Sequence, residues 1–261
     1  MVRMFVKVLL PFAFILCSFQ LAAQPKPVIR IALAEDFYPF YGTNADGAPV
    51  GASFEIAQSV LARLGYDVRV TKYTDMKASL NALDSGSQDL MVNLSETPER
   101  AKFALFTSTP HIYETQDLIA RADSPIGFDG LLINIAQFNI GIVYGWTYGP
   151  DFDSSNFLTK TPVLDSVTQL KGLLSGRFDL AINNRQYFMS RAETLGVDTA
   201  FMVLQPSVYE LPVTLAVSRK YPDATGFRDS LENEVSRFIH TEEYRSILAK
   251  YGFDTIAPEV M

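Results

Sequence analysis

Leu83-Asp84-Ser85-Gly86-Ser87-Gln88-Asp89-Leu90-Met91-Val92-Asn93 comes back ninety positions later as Leu173-Leu174-Ser175-Gly176-Arg177-Phe178-Asp179-Leu180-Ala181-Ile182-Asn183. Each stretch reads as the end of a helix, a glycine turn and a short apolar strand that finishes on an amide. One α/β unit used twice implies two similar lobes, and two lobes that face each other enclose a cleft. Function is therefore sought between them.

Outward from the first copy, Val28 to Ala34 alternates as a strand and Glu35 to Pro49 is a loop rich in aromatics and turn formers. Ser53 is the expected cap of a helix with Glu55 in its first turn. Phe54, Ile56, Ala57, Val60, Leu61 and Leu64 form its apolar face, and Gly65 is its stop. A strand at Asp67 to Tyr73 and a helix from Met76 to Ser85 lead into the copy itself. Strand, helix, strand, helix, strand predicts a mainly parallel sheet with helices on its faces. Around the second copy the pattern recurs: strand Asn139 to Tyr144, loop Gly145-Trp146-Thr147-Tyr148-Gly149, a short strand at Thr161 to Leu164, a helix begun by Asp165, and strand Asp179 to Asn183. From Asp223 to Gly252 the chain reads as helices with no counterpart in the second unit, expected to pack back on the first lobe. Tyr113 to Ala120 and Leu211 to Ser218 are the expected crossings, and two crossings permit hinge closure on a ligand.

The N-terminus carries Arg3 and Lys7, then an uncharged run from Val8 to Phe19, then Gln20-Leu21-Ala22-Ala23. This is the layout of a secretory signal peptide cleaved after Ala23; the run is shorter than the roughly 20 residues of a spanning helix. Cys17, the only cysteine, lies inside it, and Leu16 before it is a poor match to a lipoprotein signal. Losing Arg3 and Lys7 with this segment takes the formal net charge from −7 to −9. An acidic, cysteine-free exported chain is read as neither a nucleic-acid binder nor a disulfide scaffold. The expected division is residues 1–23 leader, 24–114 with 217–261 as lobe one, and 115–216 as lobe two.

Asn93-Leu94-Ser95-Glu96-Thr97-Pro98-Glu99-Arg100 leaves the first copy's strand and reads as a helix start, with Thr97 as cap and Pro98 at the first helical position. Free N–H groups there, with Ser95 and Arg100, make a site for a carboxylate. The same stretch also reads as an ordinary capped helix whose arginine pairs with Glu96 or solvent. Across the cleft, the Gly145 to Gly149 loop offers its backbone and the Thr147 hydroxyl, where ligands of such sheets bind. Among the aromatics, Phe37 and Trp146 are the expected ligand contacts. Catalytic groups are thin. His111 and His240 are the only histidines and read as structural or solvated, Glu35 and Asp36 point apart on extended chain, and Glu96 lacks a partner. No catalytic residue, metal or cofactor is expected.

With these residues in view, the chain resembles the type II periplasmic solute-binding proteins of the amino-acid-binding group, family 3. The likeness runs through Ile29 to Phe40, the Gly51 to Leu64 helix, the Ser85-Gly86 turn, Thr97-Pro98-Glu99-Arg100-Ala101-Lys102 and Tyr251-Gly252. The resemblance implies a two-lobed α/β clamp, monomeric and periplasmic, that hands a small solute to an inner-membrane ABC permease or presents it to a membrane sensor. It implies that Arg100 holds a ligand carboxylate, that Ser95 and Thr147 add hydroxyl contacts, and that Phe37 covers the ligand side chain. Asn93 ends the first copy's strand beside the site, and Asn184 follows the end of the second copy's strand. The acids that such proteins use for an α-ammonium group belong near Ala34 or Ser53 and at Asn184, and all three are uncharged here; a register shift of two would bring in Glu55. The scaffold also resembles cyclohexadienyl dehydratases, in which reading Arg100 holds a substrate and Glu96 or Glu35 donates a proton.

Overall fold

The computed structural model describes residue 1 and residues 26–253; the expected leader, with Cys17 and the cleavage point after Ala23, lies outside the described residues. In chain order, β1 (Val28–Leu33) is followed by the small hairpin β2 (Gly42–Thr43) and β3 (Pro49–Val50), then α1 (Ala52–Arg63), β4 (Asp67–Lys72), α2 (Met76–Ser85), β5 (Leu90–Leu94) and β6 (Ala104–Phe106). The first crossing, β7 (Ile112–Arg121), leads to β8 (Asn139–Val143), α3 (Pro150–Ser154), β9 (Thr159–Val163), α4 (Ser166–Leu174), β10 (Leu180–Asn183), α5 (Arg185–Thr194) and β11 (Phe201–Val203). The second crossing, β12 (Tyr209–Ser218), returns to α6 (Ala224–Phe238) and α7 (Glu242–Lys250).

Strands lie in the order β4-β1-β5-β12-β7-β10-β8-β9, with β6 beside β12 and β11 beside β7. The β4-β1-β5 and β10-β8-β9 segments are parallel, as α/β units require. Each crossing strand is shared. Tyr209 to Val213 of β12 pair with Ile112 to Gln116 of β7; beyond them, β12 joins β5 and β6 while β7 joins β10 and β11. Two lobes joined by two adjacent antiparallel strands are the result.

The repeated aspartate explains why the motif recurs. Asp89 accepts from the Arg30 backbone N at 2.8 Å while its own N–H reaches the Arg30 carbonyl at 2.8 Å. Asp179 does the same with Asn139, at 2.9 Å both ways. In each lobe one carboxylate thus ties the repeat's strand to the first residues of its parallel neighbour. The preceding helices are capped alike, Asp75 accepting from Ala78 N at 2.8 Å and Asp165 from Thr168 N at 2.7 Å.

Alternation along the strands builds the cores. Leu118, Ala120, Leu180 and Ile182 face one side of the second lobe's sheet with Ile140 and Phe152; Ile119 and Ala181 face the other with Leu173 and Phe188. In the first lobe Ile29, Ile31, Ile56, Val60 and Leu61 pack with Phe227, Leu231, Val235, Ile247 and Leu248, so the C-terminal helices do close the first lobe.

Three expectations need correction. The cap of α1 is Gly51, not Ser53: at φ 119° a Cβ there would lie 2.5 Å from the Phe40 carbonyl oxygen, so only glycine lets the backbones meet. Ser53 is two positions past the cap, inside the helix, and fully buried. Thr97-Pro98 starts no helix; the chain makes one 3-10 turn, Arg100–Lys102, and enters β6 at once. Thr97 Oγ1 accepts from Arg100 N at 3.2 Å, and few free N–H groups remain for an anion. Finally, α5 follows the second copy, although its sequence shows no apolar stripe.

Candidate functional site

Arg100 is held by the 3-10 turn at the lobe boundary and is only 6% exposed. Its Nη1 donates to the Ser95 carbonyl at 2.7 Å and its Nη2 crosses to the Gly145 carbonyl in the second lobe at 2.6 Å. Neither Glu96 nor solvent takes it. Burial brings its pKa down to about 10, with Asp153 and Glu114 pulling the other way, so it stays a cation at neutral pH. Among the described residues no carboxylate lies within ion-pair distance of it. A desolvated guanidinium without a counter-ion is what an anion site needs.

Arg100 stands between two spaces. A cavity of about 30 Å³ is lined by Phe37, Tyr41, Asn93, Arg100, Glu114 and Trp146, among others. A wide groove of about 1340 Å³ runs outward past Ser95, Glu96, Glu99, Tyr144, Thr147, Asp153, Lys160 and Tyr209. Ser95, Arg100, Trp146, Thr147 and Leu211 line both. The smaller space holds about one water molecule.

The expected contacts fall around this point unevenly. Phe37 packs against Trp146 at 5.1 Å and Tyr187 at 4.5 Å, ring to ring across the lobes. Trp146 Nε1 is buried with no acceptor. Ser95 Oγ donates to the Pro212 carbonyl of β12 at 2.6 Å, and Thr147 Oγ1 donates to the Asp153 carboxylate. Asn93 Oδ1 accepts from Ser53 Oγ at 2.6 Å. Asn184 is turned away from the cavity: its Oδ1 caps α5 by accepting from Tyr187 N at 3.1 Å, and its Nδ2 reaches the Thr115 carbonyl at 3.1 Å. Glu55 also faces elsewhere, bound by Lys250 Nζ at 2.7 Å and Tyr251 Oη at 2.5 Å.

Sequence reasoning missed Glu114. It is 5% exposed on β7, at the cavity wall, accepting from Asn93 Nδ2 at 2.5 Å and Gln116 Nε2 at 3.3 Å. Burial pushes its pKa up to about 7, against the Asn93 hydrogen bond and the Arg100 charge. The available signal was Glu114 and Gln116 at strand spacing inside a crossing that is otherwise apolar toward its C-terminal end. Glu35 reads from the sequence as part of an extended chain, yet its carboxylate crosses the cleft to the start of α4, accepting from Ser166 N at 3.4 Å and Ser166 Oγ at 3.3 Å. Arg191 of α5 likewise donates to the Asp36 carbonyl at 3.3 Å.

The sequence matches the family described as bacterial extracellular solute-binding proteins, family 3, over residues 29–254. A histidine kinase sensor domain with similarity to periplasmic binding proteins is similar in structure at a TM-score of 0.75 and 18% identity, covering 87% of this chain and 96% of that one. A mutant of ArgBP from T. maritima gives 0.71 at 16% identity over 86% and 95%. AncCDT-1, an ancestral amino acid-binding protein and precursor of cyclohexadienyl dehydratase, gives 0.67 at 18% identity over 86% and 95%. At these identities the likeness carries the fold alone. No curated protein matches the chain.

Proposed function

Because this chain belongs to the bacterial extracellular solute-binding proteins of family 3, we propose that it clamps a small, amino-acid-like carboxylate between its lobes, with Arg100 as the anion anchor. The observation that carries this is the buried Arg100 guanidinium, which bridges the lobes through backbone carbonyls and has no carboxylate partner among the described residues. A carboxylate arriving there gains a charge-assisted, bidentate partner in a desolvated site. Room for it comes from parting the lobes about β7 and β12, since the closed cavity admits little more than a water. We place the lobes at 24–114 with 217–261 and at 115–216.

The carboxylate sits against Arg100 with Trp146 and Phe37 over it, and closure returns Phe37 to Tyr187 or to the ligand. The loaded clamp, a periplasmic monomer released from its leader, then serves an ABC permease or a membrane sensor. Mass spectrometry of the gently purified protein tests the reading directly: the expected result is a retained solute bearing an anionic group. Arg100→Ala is expected to lose that solute while keeping its circular dichroism spectrum, and retention by the variant would remove the anchor from the site.

One observation favours a second reading, an enzyme of the cyclohexadienyl dehydratase kind. Glu114, a carboxyl with its pKa raised to about 7 in the cleft, meets the requirement for a proton donor at neutral pH better than the exposed Glu96. Turnover of prephenate or arogenate at high protein concentration would establish it.

A further inference from the structure

Phe37 has no open face for a solute. Phe40 stacks on its ring at 4.8 Å and 17°, Trp146 meets it edge-on at 5.1 Å, Tyr187 packs on it at 4.5 Å and 59°, and Phe37 is left 3% exposed. The last of these rings comes from the other lobe and enters deeply. Tyr187 is on α5, yet among the described residues it is the one buried member of the first lobe's core that belongs neither to that lobe nor to a crossing strand. Trp146 meets the same tyrosine at 5.9 Å and 36°. Local structure fixes its place, since Asn184 caps α5 by accepting from Tyr187 N at 3.1 Å. Arg191, one turn on, lays its guanidinium 5.5 Å from the tyrosine ring centroid and donates from Nη2 to the Asp36 carbonyl of the first lobe at 3.3 Å.

Resting on the solute clamp reading, we propose that Tyr187 is a built-in competitor of the solute: in the unliganded protein its ring holds the lobes shut by taking the place on Phe37 that a solute's body takes, and a solute enters by displacing it. The space left beside Arg100 is about 30 Å³, and Phe37 and Trp146 line it while Tyr187 stands behind them, filling volume and not bounding it. A solute anchored on Arg100 and covered by Phe37 needs the volume that Tyr187 holds. The second lobe thus brings its own substitute for the ligand.

Parting the lobes bares the Phe37, Trp146 and Tyr187 rings to water, which the unliganded protein avoids by staying shut. Apparent affinity is then the intrinsic affinity reduced by the fraction of molecules in which Tyr187 has left Phe37. A solute that interacts weakly with the first lobe does not displace the ring, so the contact sets a threshold for binding.

Trp146 is the only tryptophan of the chain, so its emission reports on this contact. The test compares wild type, Tyr187→Ala and Tyr187→Phe, dialysed free of solute, by acrylamide quenching of Trp146 and by small-angle scattering. Tyr187→Ala is expected to be quenched more strongly, to emit further to the red and to have a larger radius of gyration, while Tyr187→Phe, which keeps the ring, matches wild type. An unchanged circular dichroism spectrum for Tyr187→Ala is part of the expected result, since the ring lies between the lobes. Calorimetry with the common L-amino acids supplies the second half. Any that binds wild type is expected to bind Tyr187→Ala about 3- to 10-fold tighter, the scale of the aromatic pairing released, and binding by the variant alone would support the proposal equally. Weaker binding by Tyr187→Ala makes the tyrosine a contact of the solute and overturns its role as competitor. Unchanged quenching and radius show that it does not hold the lobes shut and overturn the proposal too. Either result leaves the clamp standing, whereas no binding by wild type or variant overturns both.

Discussion

His111 is fully buried at the start of β7 with both ring nitrogens lacking partners, and burial brings its pKa down to about 3. The unfolded chain therefore takes a proton below about pH 6.5 that the folded protein refuses until near pH 3, and stability falls as pH drops through that window. Glu114 works in the opposite sense. Its folded pKa of about 7 lies above the ordinary 4.5, so the fold keeps a proton that the unfolded chain has released, and stability falls as pH rises from 4.5 to 7. Urea midpoints for His111→Leu should thus diverge from wild type most at acid pH, with a limiting slope of about 1.4 kcal/mol per pH unit, while those for Glu114→Gln diverge most above neutrality. Parallel curves for either variant would show that its group titrates normally in the fold. Arg100→Met makes a third case: the exchange removes an uncompensated charge and keeps volume. The fold should lose no more than about 2 kcal/mol, the worth of its two hydrogen bonds, while carboxylate binding is lost. Arg100 was legible in the sequence because it ends a motif. Glu114 was not, because polar residues such as Glu114 and Gln116 at strand spacing announce their surroundings only after β5 and β12 are in place.

Elements were legible where local chemistry and tertiary packing agree. Asp75 caps α2 and Gly86, at φ 74°, stops it, so Met76 to Ser85 is read from the chain and observed without change. Thr97-Pro98 offered the same local signals and failed, because only three residues of turn separate Arg100 from β6 and no apolar stripe is available to bury. The opposite failure is α5, whose charged face hides Tyr187, Phe188 and Ala192, the residues that it does bury. Asp89 and Asp179 were read as one motif, and the structure gives them unequal weight. Asp89 is nearly buried and also takes the Arg30 guanidinium at 3.0 and 2.5 Å; Asp179 takes only backbone at its strand and is half-buried. Since Arg30 is half-exposed, its ion pair is screened and adds modestly. Asp89→Ala is therefore expected to cost about 2–3 kcal/mol and Asp179→Ala about 1–2 kcal/mol in urea unfolding. Equal losses would mean that the shared backbone tie, and not the added arginine, sets the value of the motif.

At the scale of the whole molecule the closed form is held by a small set of contacts that span the lobes. Arg100 reaches the Gly145 carbonyl, Arg191 reaches the Asp36 carbonyl, Phe37 meets Trp146 edge-on and Tyr187 at a tilt, and Glu35 receives Ser166 N and Oγ. Duplication in the sequence foretold two lobes and a cleft, but none of these bridges, since each joins residues that are neighbours only when the lobes meet. Arg100 and Phe37 are also expected ligand contacts, so a ligand exchanges those bridges for its own. Glu35 differs because it meets the N-terminus of α4, outside the residues that line the cavity, and burial lifts its pKa without any ligand in reach. In the proposed clamp it would act on the balance between open and closed forms and not on the ligand. A contact of this kind contributes about 0.5–1.5 kcal/mol, so Glu35→Ala should shift the unliganded population toward the open form and weaken apparent affinity about 2- to 10-fold. Small-angle scattering should record a larger radius of gyration for unliganded Glu35→Ala than for wild type, and equal radii once ligand is saturating. A radius unchanged without ligand, together with unchanged affinity, would show that the remaining arginine and aromatic contacts hold the lobes together without Glu35.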